Sequence, residues 1–301
     1  MAAKSSEAVT ARGIARVYEK MGYDACNIGS NDSAAGLRFL AQIDNIPWVS
    51  IHFFDSQDVE IFPAYVLKSI AGVTVAITGV TAQPKNIEND IHYKHWQQRL
   101  PPLLAEMEKQ ADFIIVLSAL ASRDNAEIAR RFPTVRLVLT AGNGTSYRHI
   151  KQVNKALLAQ TASRGQYLGH LHILDPHHSR WRSDREKDLV QLQAIIADID
   201  GKINVIKETN AQAQSQNKLL TRLQQRKSKL AEQVQRLRTA NSATTDEKTS
   251  DYTMENIPLT ATIEEHEEIK KLVELLKSER DQLPRQKTSA PAPEYDPVFQ
   301  P

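Results

Sequence analysis

The chain has 301 residues, enough for one or two domains, and 25% of them are charged, as in ordinary globular proteins. Its 38 basic and 36 acidic residues leave a net charge of +2, which excludes the strong positive potential typical of nucleic-acid-binding proteins. Cys26 is the single cysteine, so intramolecular disulfides, zinc sites built on paired cysteines and covalent haem attachment are excluded as well.

The first half of the chain alternates helical and strand patterns. Apolar residues spaced three and four apart predict a helix over residues 7–21. Ile46 to Phe54 is a candidate strand, and Tyr65–Ile70 and Val73–Val80 flank Ala71-Gly72 as in a β-hairpin. A helix is expected over residues 92–110, broken at Pro101-Pro102.

The next segments continue the alternation. Phe113–Leu117 and Val135–Leu139 are continuous apolar runs, typical of strands covered on both faces, with a short helix predicted between them over residues 123–132. Ala156–Gln160 and Gln166–Leu174 are predicted to form a second hairpin. Strands that alternate with helices favour an α/β domain with a mixed sheet over residues 1–180.

Residues 183–240 have a different composition, rich in Gln, Lys, Arg, Glu and Ala and free of proline. Apolar residues recur there at heptad spacing, with a three-residue shift near Leu220, and they predict a long coiled coil whose partner is another copy, another protein or the chain's own domain. The predicted interface consists of Leu189, Leu192, Ile196, Ile199, Ile203, Ile206, Leu220, Leu223, Leu230, Val234 and Leu237.

Three short segments complete the chain. Residues 241–257 are predicted to be a linker, and residues 258–283 a helix that begins at a capping-box pattern, Thr262-Ile263-Glu264-Glu265. Residues 284–301 are rich in Pro, Lys, Gln and Ser and are expected to be disordered.

Several stretches of residues 11–175 resemble motifs of the calcineurin-like metallophosphoesterases, in their 5′-nucleotidase branch. The run from Gly22 to Asp32 (GYDACNIGSND) is similar to the family's GYDAxxxGNHE motif. Phe113–Leu120 resembles DxIIxLTHLG, residues 140–145 (TAGNGT) stand where the family has GGHSHT, and Gly165–Leu171 resembles GxYLGRLDL. The resemblance implies the family's fold, shortened at the N-terminus.

The positions that carry the family's chemistry differ in this chain. In the family, two metal ions held by Asp, His and Asn side chains activate a water that attacks a phosphoryl group. By the same resemblance the bridging Asn is Ser30, the catalytic His is Asn31, and Asp32 keeps the acidic position. Three further His ligands correspond to Ala119, Gly142 and Gly144. Ser, Ala and Gly cannot replace imidazole as a metal ligand, so the resemblance implies a pseudoenzyme with no catalytic residues and no cofactor.

A cluster of histidines offers a separate candidate site. Alternation along a strand puts His170 and His172 on one face, and His177 and His178 follow in a turn, so the four side chains are candidate metal ligands. The favoured alternative is a half-exposed strand whose polar residues face water.

Residues 252–276 resemble a linker in envelope proteins of electron-transferring bacteria, in which a degenerate nucleotidase-like domain and a coiled coil precede a multihaem cytochrome module. No haem-attachment motif follows in this sequence. This resemblance implies envelope electron-transfer proteins as possible partners.

The sequence therefore predicts a non-catalytic, metallophosphoesterase-like protein that self-associates or docks through its coiled coil. One alternative is a metal-dependent phosphatase or 5′-nucleotidase-type hydrolase completed by an upstream segment or a partner. A further alternative is a scaffold subunit of an envelope electron-transfer complex. With Met1 as the true start and no apolar run long enough to cross a membrane, the cytoplasm is expected; an upstream signal would indicate the periplasm or cell envelope.

Overall fold

The computed structural model describes residues 6–141, 150–161, 165–178, 181–182, 185–208, 214–239, 249–260 and 263–282. The chain divides into two compact units: residues 1–128, 137–145 and 260–301 form the first, and residues 129–136 and 146–259 form the second. None of the helices in these described ranges combines the length and the apolar character needed to cross a membrane.

Strands outnumber helices in the first half of the chain, and two long helices dominate the second half. In chain order the elements are α1 (Ser6–Met21), β1 (Cys26–Asn27), a 3₁₀ turn (Asp32–Ala35), α2 (Leu37–Ala41), β2 (Trp48–Val49), β3 (Phe53–Asp55), β4 (Tyr65–Ile70), β5 (Val73–Thr81), β6 (Ile91–Tyr93), α3 (Trp96–Met107), β7 (Phe113–Ala119), α4 (Ser122–Arg131), β8 (Val135–Thr140), β9 (Lys151–Val153), β10 (Ala156–Ala159), β11 (Tyr167–Leu174), β12 (Trp181–Arg182), α5 (Arg185–Glu208), α6 (Gln214–Thr239), β13 (Ser250–Pro258) and α7 (Glu267–Asp281).

A mixed sheet forms the centre of the first unit, with strand order β4-β5-β7-β8. β4 is antiparallel to β5, as the hairpin pattern predicted, and β5 is parallel to β7. Ala71 (φ 50°) and Gly72 (φ 83°) both have positive φ in the β4–β5 connection, which suits the right-handed twist of a two-residue hairpin. Most residues of β5 and β7 are buried, because apolar runs of this kind are covered on both faces. The prediction of an α/β fold with a mixed sheet is confirmed.

Two short strand pairs and a small apolar core lie beside this sheet. β1 pairs in parallel with β2, and β3 pairs antiparallel with β6. The single strand expected from Ile46 to Phe54 is therefore two strands with different partners. The core consists of Ile28, Leu37, Leu40, Phe53, Phe62 and Ile91.

Helix α3 begins and continues differently from the prediction. Residues 91–93 form β6, the helix starts at Trp96 after the N-cap His95, and Pro101 and Pro102 lie inside it. Each proline removes one backbone donor from the helix. The fully buried Trp96 and Leu100 lie within this helix, and their apolar packing stabilises it against the missing hydrogen bonds.

The second unit contains a three-stranded sheet in the order β11-β13-β12. β11 pairs antiparallel with β13, from Tyr167 opposite Pro258 to Leu174 opposite Asp251. The predicted hairpin between Ala156–Gln160 and Gln166–Leu174 is wrong, because β10 instead pairs antiparallel with β9. The predicted linker over residues 241–257 is wrong in its second half, where β13 lies; residues 241–248 lie outside the described ranges.

The predicted continuous coiled coil over residues 183–240 is described as two helices, α5 and α6, which pack against each other. Five residues separate them in the chain, and Lys227 of α6 forms an ion pair with Asp200 of α5, so the helices run in opposite directions. Ile199, Ile203 and Val234 are buried, and seven of the other predicted interface residues are half-buried: Leu189, Leu192, Ile196, Ile206, Leu220, Leu223 and Leu230. The side chain of Leu237 lies outside the described part of the structure.

Helix α7 packs on α1 within the first unit. It begins at Glu267, later than the predicted start at residue 258, and its N-cap is His266 rather than the capping box at Thr262–Glu265. Lys20 of α1 forms an exposed ion pair with Glu268 of α7. Gly13 allows the close approach, because a Cβ added there would lie 1.8 Å from Cδ2 of Leu276. The predicted disordered tail, residues 284–301, falls outside the described ranges.

Candidate functional site

The ends of β1, β5 and β7 bring several motif positions into one region of the first unit. β5 and β7 end side by side, with Thr81 opposite Ala119. Asn27, the last residue of β1, donates a hydrogen bond from Nδ2 to the Val80 carbonyl at 2.9 Å. The carboxyl ends of parallel strands are the usual location of binding sites in α/β folds.

Gly79 makes this convergence possible. A Cβ at residue 79 would lie 2.3 Å from Oδ1 of Asn27 and 2.5 Å from the backbone oxygen of Val49. Any side chain there would push β1 and β2 away from β5. The glycine therefore sets the distance at which the segment after β1 meets the end of the central sheet.

The segment after β1 contains three of the predicted motif positions, Ser30, Asn31 and Asp32. Ser30 is half-buried, while Asn31 and Asp32 are exposed. Oδ2 of Asp32 accepts a hydrogen bond from the Gly29 amide at 2.7 Å, which closes the turn at the start of the 3₁₀ segment. Although Asp32 as a residue is exposed, desolvation of its carboxyl by nearby protein atoms raises its pKa, and the Gly29 amide partly offsets this.

His52, which no sequence motif indicated, lies between β2 and β3 in the chain. Its side chain is fully buried and contacts the end of β5. Its Nε2 accepts a hydrogen bond from the Thr81 amide at 2.8 Å, and its Nδ1 donates to the Lys94 carbonyl at 2.7 Å. These partners require the neutral imidazole with the proton on Nδ1. Burial lowers the pKa of His52 to about 4, although the Lys94 carbonyl favours the charged form.

Tyr93 completes the group around His52. The two rings are stacked with centroids 4.8 Å apart, and the Tyr93 hydroxyl donates to the Thr81 carbonyl at 2.8 Å. Burial, followed by the negative charge of Asp124, raises the pKa of Tyr93 to about 12. Both rings thus stay neutral at physiological pH and are engaged in hydrogen bonds with the backbone. The only sequence signal for this group was a histidine inside the apolar run Val49–Phe54.

Ser118 and Asn125 form a second buried polar group where β7 leads into α4. Ser118 Oγ donates to Asn125 Oδ1 at 2.5 Å and accepts from the Leu120 amide at 3.1 Å. Asn125 Nδ2 in turn donates to the Leu120 carbonyl at 3.2 Å. With its hydroxyl proton committed to an amide oxygen, Ser118 lacks the adjacent base that an activated nucleophile requires.

The remaining predicted positions are distributed as follows. Ala119 is half-buried at the end of β7, and Gly142 and Gly144 lie outside the described residues. Cys26 is buried in β1, and burial raises the pKa of its thiol to about 11, so this residue packs as a small apolar side chain. Within the described ranges, no three His, Cys, Asp or Glu side chains lie close enough together to hold a metal ion.

The histidine cluster is placed in the second unit. His170 and His172 are exposed on β11, opposite Glu255 and Thr253 of β13. His178 lies 2.8 Å from a carboxylate oxygen of Asp175, and His177 is exposed in the turn. The structure therefore separates His170 and His172, on the strand, from His178, which has its own acidic partner.

No family model matches this sequence, and no curated protein matches it either. The structure is similar to a 5′-nucleotidase precursor from Thermus thermophilus, with 19% identity and a TM-score of 0.48 over 56% of this chain and 39% of that one. A sulfate thiohydrolase from the same organism gives 16% identity and a TM-score of 0.48 over 54% and 32% of the two chains. A calcineurin-like phosphoesterase from Bacillus subtilis gives 18% identity and a TM-score of 0.47 over 55% and 63%.

Of these three proteins, one is described as a 5′-nucleotidase precursor and one as a calcineurin-like phosphoesterase, the kinds of protein whose motifs the sequence resembles, and the likeness concerns the fold alone. This chain spans less than two thirds of the length of each of the three proteins.

Proposed function

We propose that this chain is a non-catalytic, metallophosphoesterase-like protein that acts by binding and assembly. The observation that carries the proposal is the identity of the side chains at the ends of β1 and β7. Ser30, Asn31 and Ala119 stand there, and together they present a hydroxyl, an amide and a methyl group. Dinuclear hydrolytic sites are built from carboxylates and imidazoles, and Asp32 alone supplies a single carboxylate.

The hydrogen bonding of the neighbouring polar groups supports the same proposal. Both ring nitrogens of His52 are bonded to backbone groups, so neither has a lone pair for a metal. Ser118 and Asn125 bond to each other and to the Leu120 backbone. These groups stabilise the strand ends, which suits a binding head better than a reaction centre.

Hydrolysis by a site that an upstream segment or a partner completes is the alternative function, and Asp32, with its exposed position, is the residue that would take part. The test is to incubate the protein with Mn²⁺ and Zn²⁺, desalt it, and measure bound metal and the hydrolysis of 5′-AMP. We expect the unchanged chain to hydrolyse no 5′-AMP. We also expect it to bind no more metal than the Asp32→Asn variant does. About two metals per chain with nucleotide hydrolysis, both lost in Asp32→Asn, would overturn the proposal in favour of the hydrolase.

Assembly is proposed to use the helical pair α5–α6. Its most buried residues pack between the two helices of one chain, whereas Val205 and Leu219 are 61% and 47% exposed. Apolar side chains on the outer surface of such a helical pair are available to a second copy or to another protein. The sequence-based prediction was a single long helix whose apolar stripe packs on another copy, another protein or the chain's own domain.

The test of assembly is the mass of the purified chain by light scattering, compared with Val205→Lys/Leu219→Lys. We expect the variant to lose an associated form, with Lys202→Ala/Gln224→Lys as a control that alters only polar exposed positions. Equal masses for all three proteins would contradict docking of identical copies through these helices. Binding of a multihaem cytochrome by the purified chain would then favour the envelope scaffold alternative. The support for that alternative is the resemblance of residues 252–276.

A further inference from the structure

β11 is a long edge strand in the second unit. It lies at one end of the order β11-β13-β12, and along all eight of its residues it pairs with β13 on one side. In the part of the chain that the structure describes, no strand pairs with its other edge. Natural edge strands are usually protected by Lys, Pro or a bulge, because unpaired backbone groups attract another strand. Tyr167–Leu174 contains neither Lys nor Pro.

The outward face of β11 has the same pattern in both directions. Successive residues of a strand alternate between its two faces, so Leu168, His170, His172 and Leu174 share one face. Leu168 is 55% exposed and Leu174 is 49% exposed, and both histidines are exposed as well. Read from either end, the face is Leu-His-His-Leu, and its midpoint falls at Leu171, whose side chain is on the opposite face.

In an isologous contact, a two-fold axis sets each residue opposite its counterpart across the axis, so this palindrome places leucine against leucine and histidine against histidine. Antiparallel pairing of two β11 strands about an axis at Leu171 sets Leu168 opposite Leu174 of the partner subunit. The same register sets His170 opposite the partner's His172. Directly opposite residues have Cβ atoms about 5 Å apart, so the leucines cover each other and four imidazoles converge on one side of the sheet.

We propose that β11 pairs with a second copy of itself and that His170 and His172 of the two copies hold one divalent zinc ion. Four imidazole nitrogens suit the tetrahedral coordination that zinc adopts in proteins. Glu255 of β13 is directly opposite His170, where a carboxylate can accept the second ring N–H of a ligating histidine. Neither copy alone supplies enough ligands, so dimer formation and zinc binding depend on each other.

Zinc content and mass are the first measurements, made on the full chain at pH 7.5. With added Zn²⁺ and desalting, we expect the mass to double relative to the zinc-free protein and about one zinc to be bound per two chains of 33.8 kDa. His170→Ala/His172→Ala should retain no zinc, while His177→Ala, a change of an exposed histidine outside the strand, should behave like the unchanged chain. One zinc per monomeric chain, or zinc binding that survives His170→Ala/His172→Ala, would overturn the proposal.

The register is tested by a charge-reversal pair. Leu168→Lys/Leu174→Lys puts lysine opposite lysine across the proposed axis, whereas Leu168→Lys/Leu174→Glu puts lysine opposite glutamate and removes the same two leucines. We expect the first variant to lose the zinc-dependent increase in mass and the second to recover it together with its zinc, with circular dichroism unchanged in both. Equal masses for the two variants would contradict pairing centred on Leu171. This proposal does not rest on the proposed function, since substitutions at Val205 and Leu219 leave β11 unchanged.

Discussion

The Thr81 amide donates a hydrogen bond to Nε2 of His52 at 2.8 Å, while Nδ1 of the same ring donates to the Lys94 carbonyl. One buried imidazole thus joins the end of β5 to the segment that follows β6. Protonation would replace the acceptor at Nε2 with a second donor facing the Thr81 amide, so this link holds only while the ring is neutral.

The first prediction is a loss of stability in mild acid. The folded-state pKa of His52 is lowered to about 4 from 6.5, so the neutral ring stabilises the fold fully above pH 6.5. This contribution is lost as the pH falls from 6.5 towards 4, and the total is about 3 kcal/mol. Urea unfolding at pH 7.5 and pH 5 measures the part of this loss that falls above pH 5, about 2 kcal/mol.

His52→Gln is the control for this prediction, because glutamine can accept from Thr81 and donate to Lys94 without titrating. We expect the variant to be less stable at pH 7.5 but to lose less stability than the unchanged chain between pH 7.5 and 5. Equal losses in the two proteins would show that other groups cause the acid sensitivity.

The second prediction concerns two glycines. Gly79→Ala should lower the free energy of unfolding by about 3 kcal/mol, because its Cβ would meet Asn27 and the Val49 backbone. Gly201→Ala is the matched change in α5, where nothing lies within 4 Å of an added Cβ, and it should raise stability by about 1 kcal/mol. Chemical denaturation measures the free energy of unfolding of both variants. An unchanged free energy in Gly79→Ala would mean that β1 and β2 can move away from β5 at no cost.

The third prediction is a coupling between Gly13 and Leu276. Alone, Gly13→Ala should destabilise the contact of α1 with α7 by about 1–2 kcal/mol, because its Cβ would overlap the Leu276 side chain. In a Leu276→Ala background the same change should be neutral or stabilising, since alanine favours the helix. A double-mutant cycle of thermal unfolding gives the coupling energy, and strictly additive effects would contradict the described helix contact.

The fourth prediction tests the pairing of α5 with α6 inside one chain. Ile199 is 3% exposed, and Ile199→Asp should cost about 3 kcal/mol or more and lower the helical circular dichroism signal, because it buries a charge. Ala197→Asp, at an exposed position two residues away, should leave the signal nearly unchanged. If Ile199→Asp changed only the mass of an oligomer and not the helix content, the apolar stripe would pair between chains instead.

Local patterns predicted much of the first unit correctly. The β4–β5 hairpin, the strands β7 and β8 and the helix α1 follow from apolar periodicity and from the turn at Ala71-Gly72, all of which depend on neighbours in the chain. Helix α3 was harder, since Pro101-Pro102 locally favours a break, and burial of residues such as Trp96 and Leu100 outweighs that preference.

The candidate site shows the same division. Resemblance to known motifs located Ser30–Asp32 and Ala119, because those positions occur in recognisable stretches of sequence. His52 escaped notice, since its role depends on Thr81 and Lys94, which are 29 and 42 residues away. A histidine among apolar residues has no distinctive pattern until its partners are known.

The sequence by itself determined which side chains stand at the strand ends, the absence of a second cysteine, and the Leu-His-His-Leu face of β11. Those are properties of residue identity and of alternation along a strand, which need no distant partner. Only the tertiary structure decided that β11 pairs with β13 rather than with β10, and that α6 packs on α5. Strand and helix pairing bury apolar surface between separate elements, and that free energy depends on which surfaces meet rather than on local order.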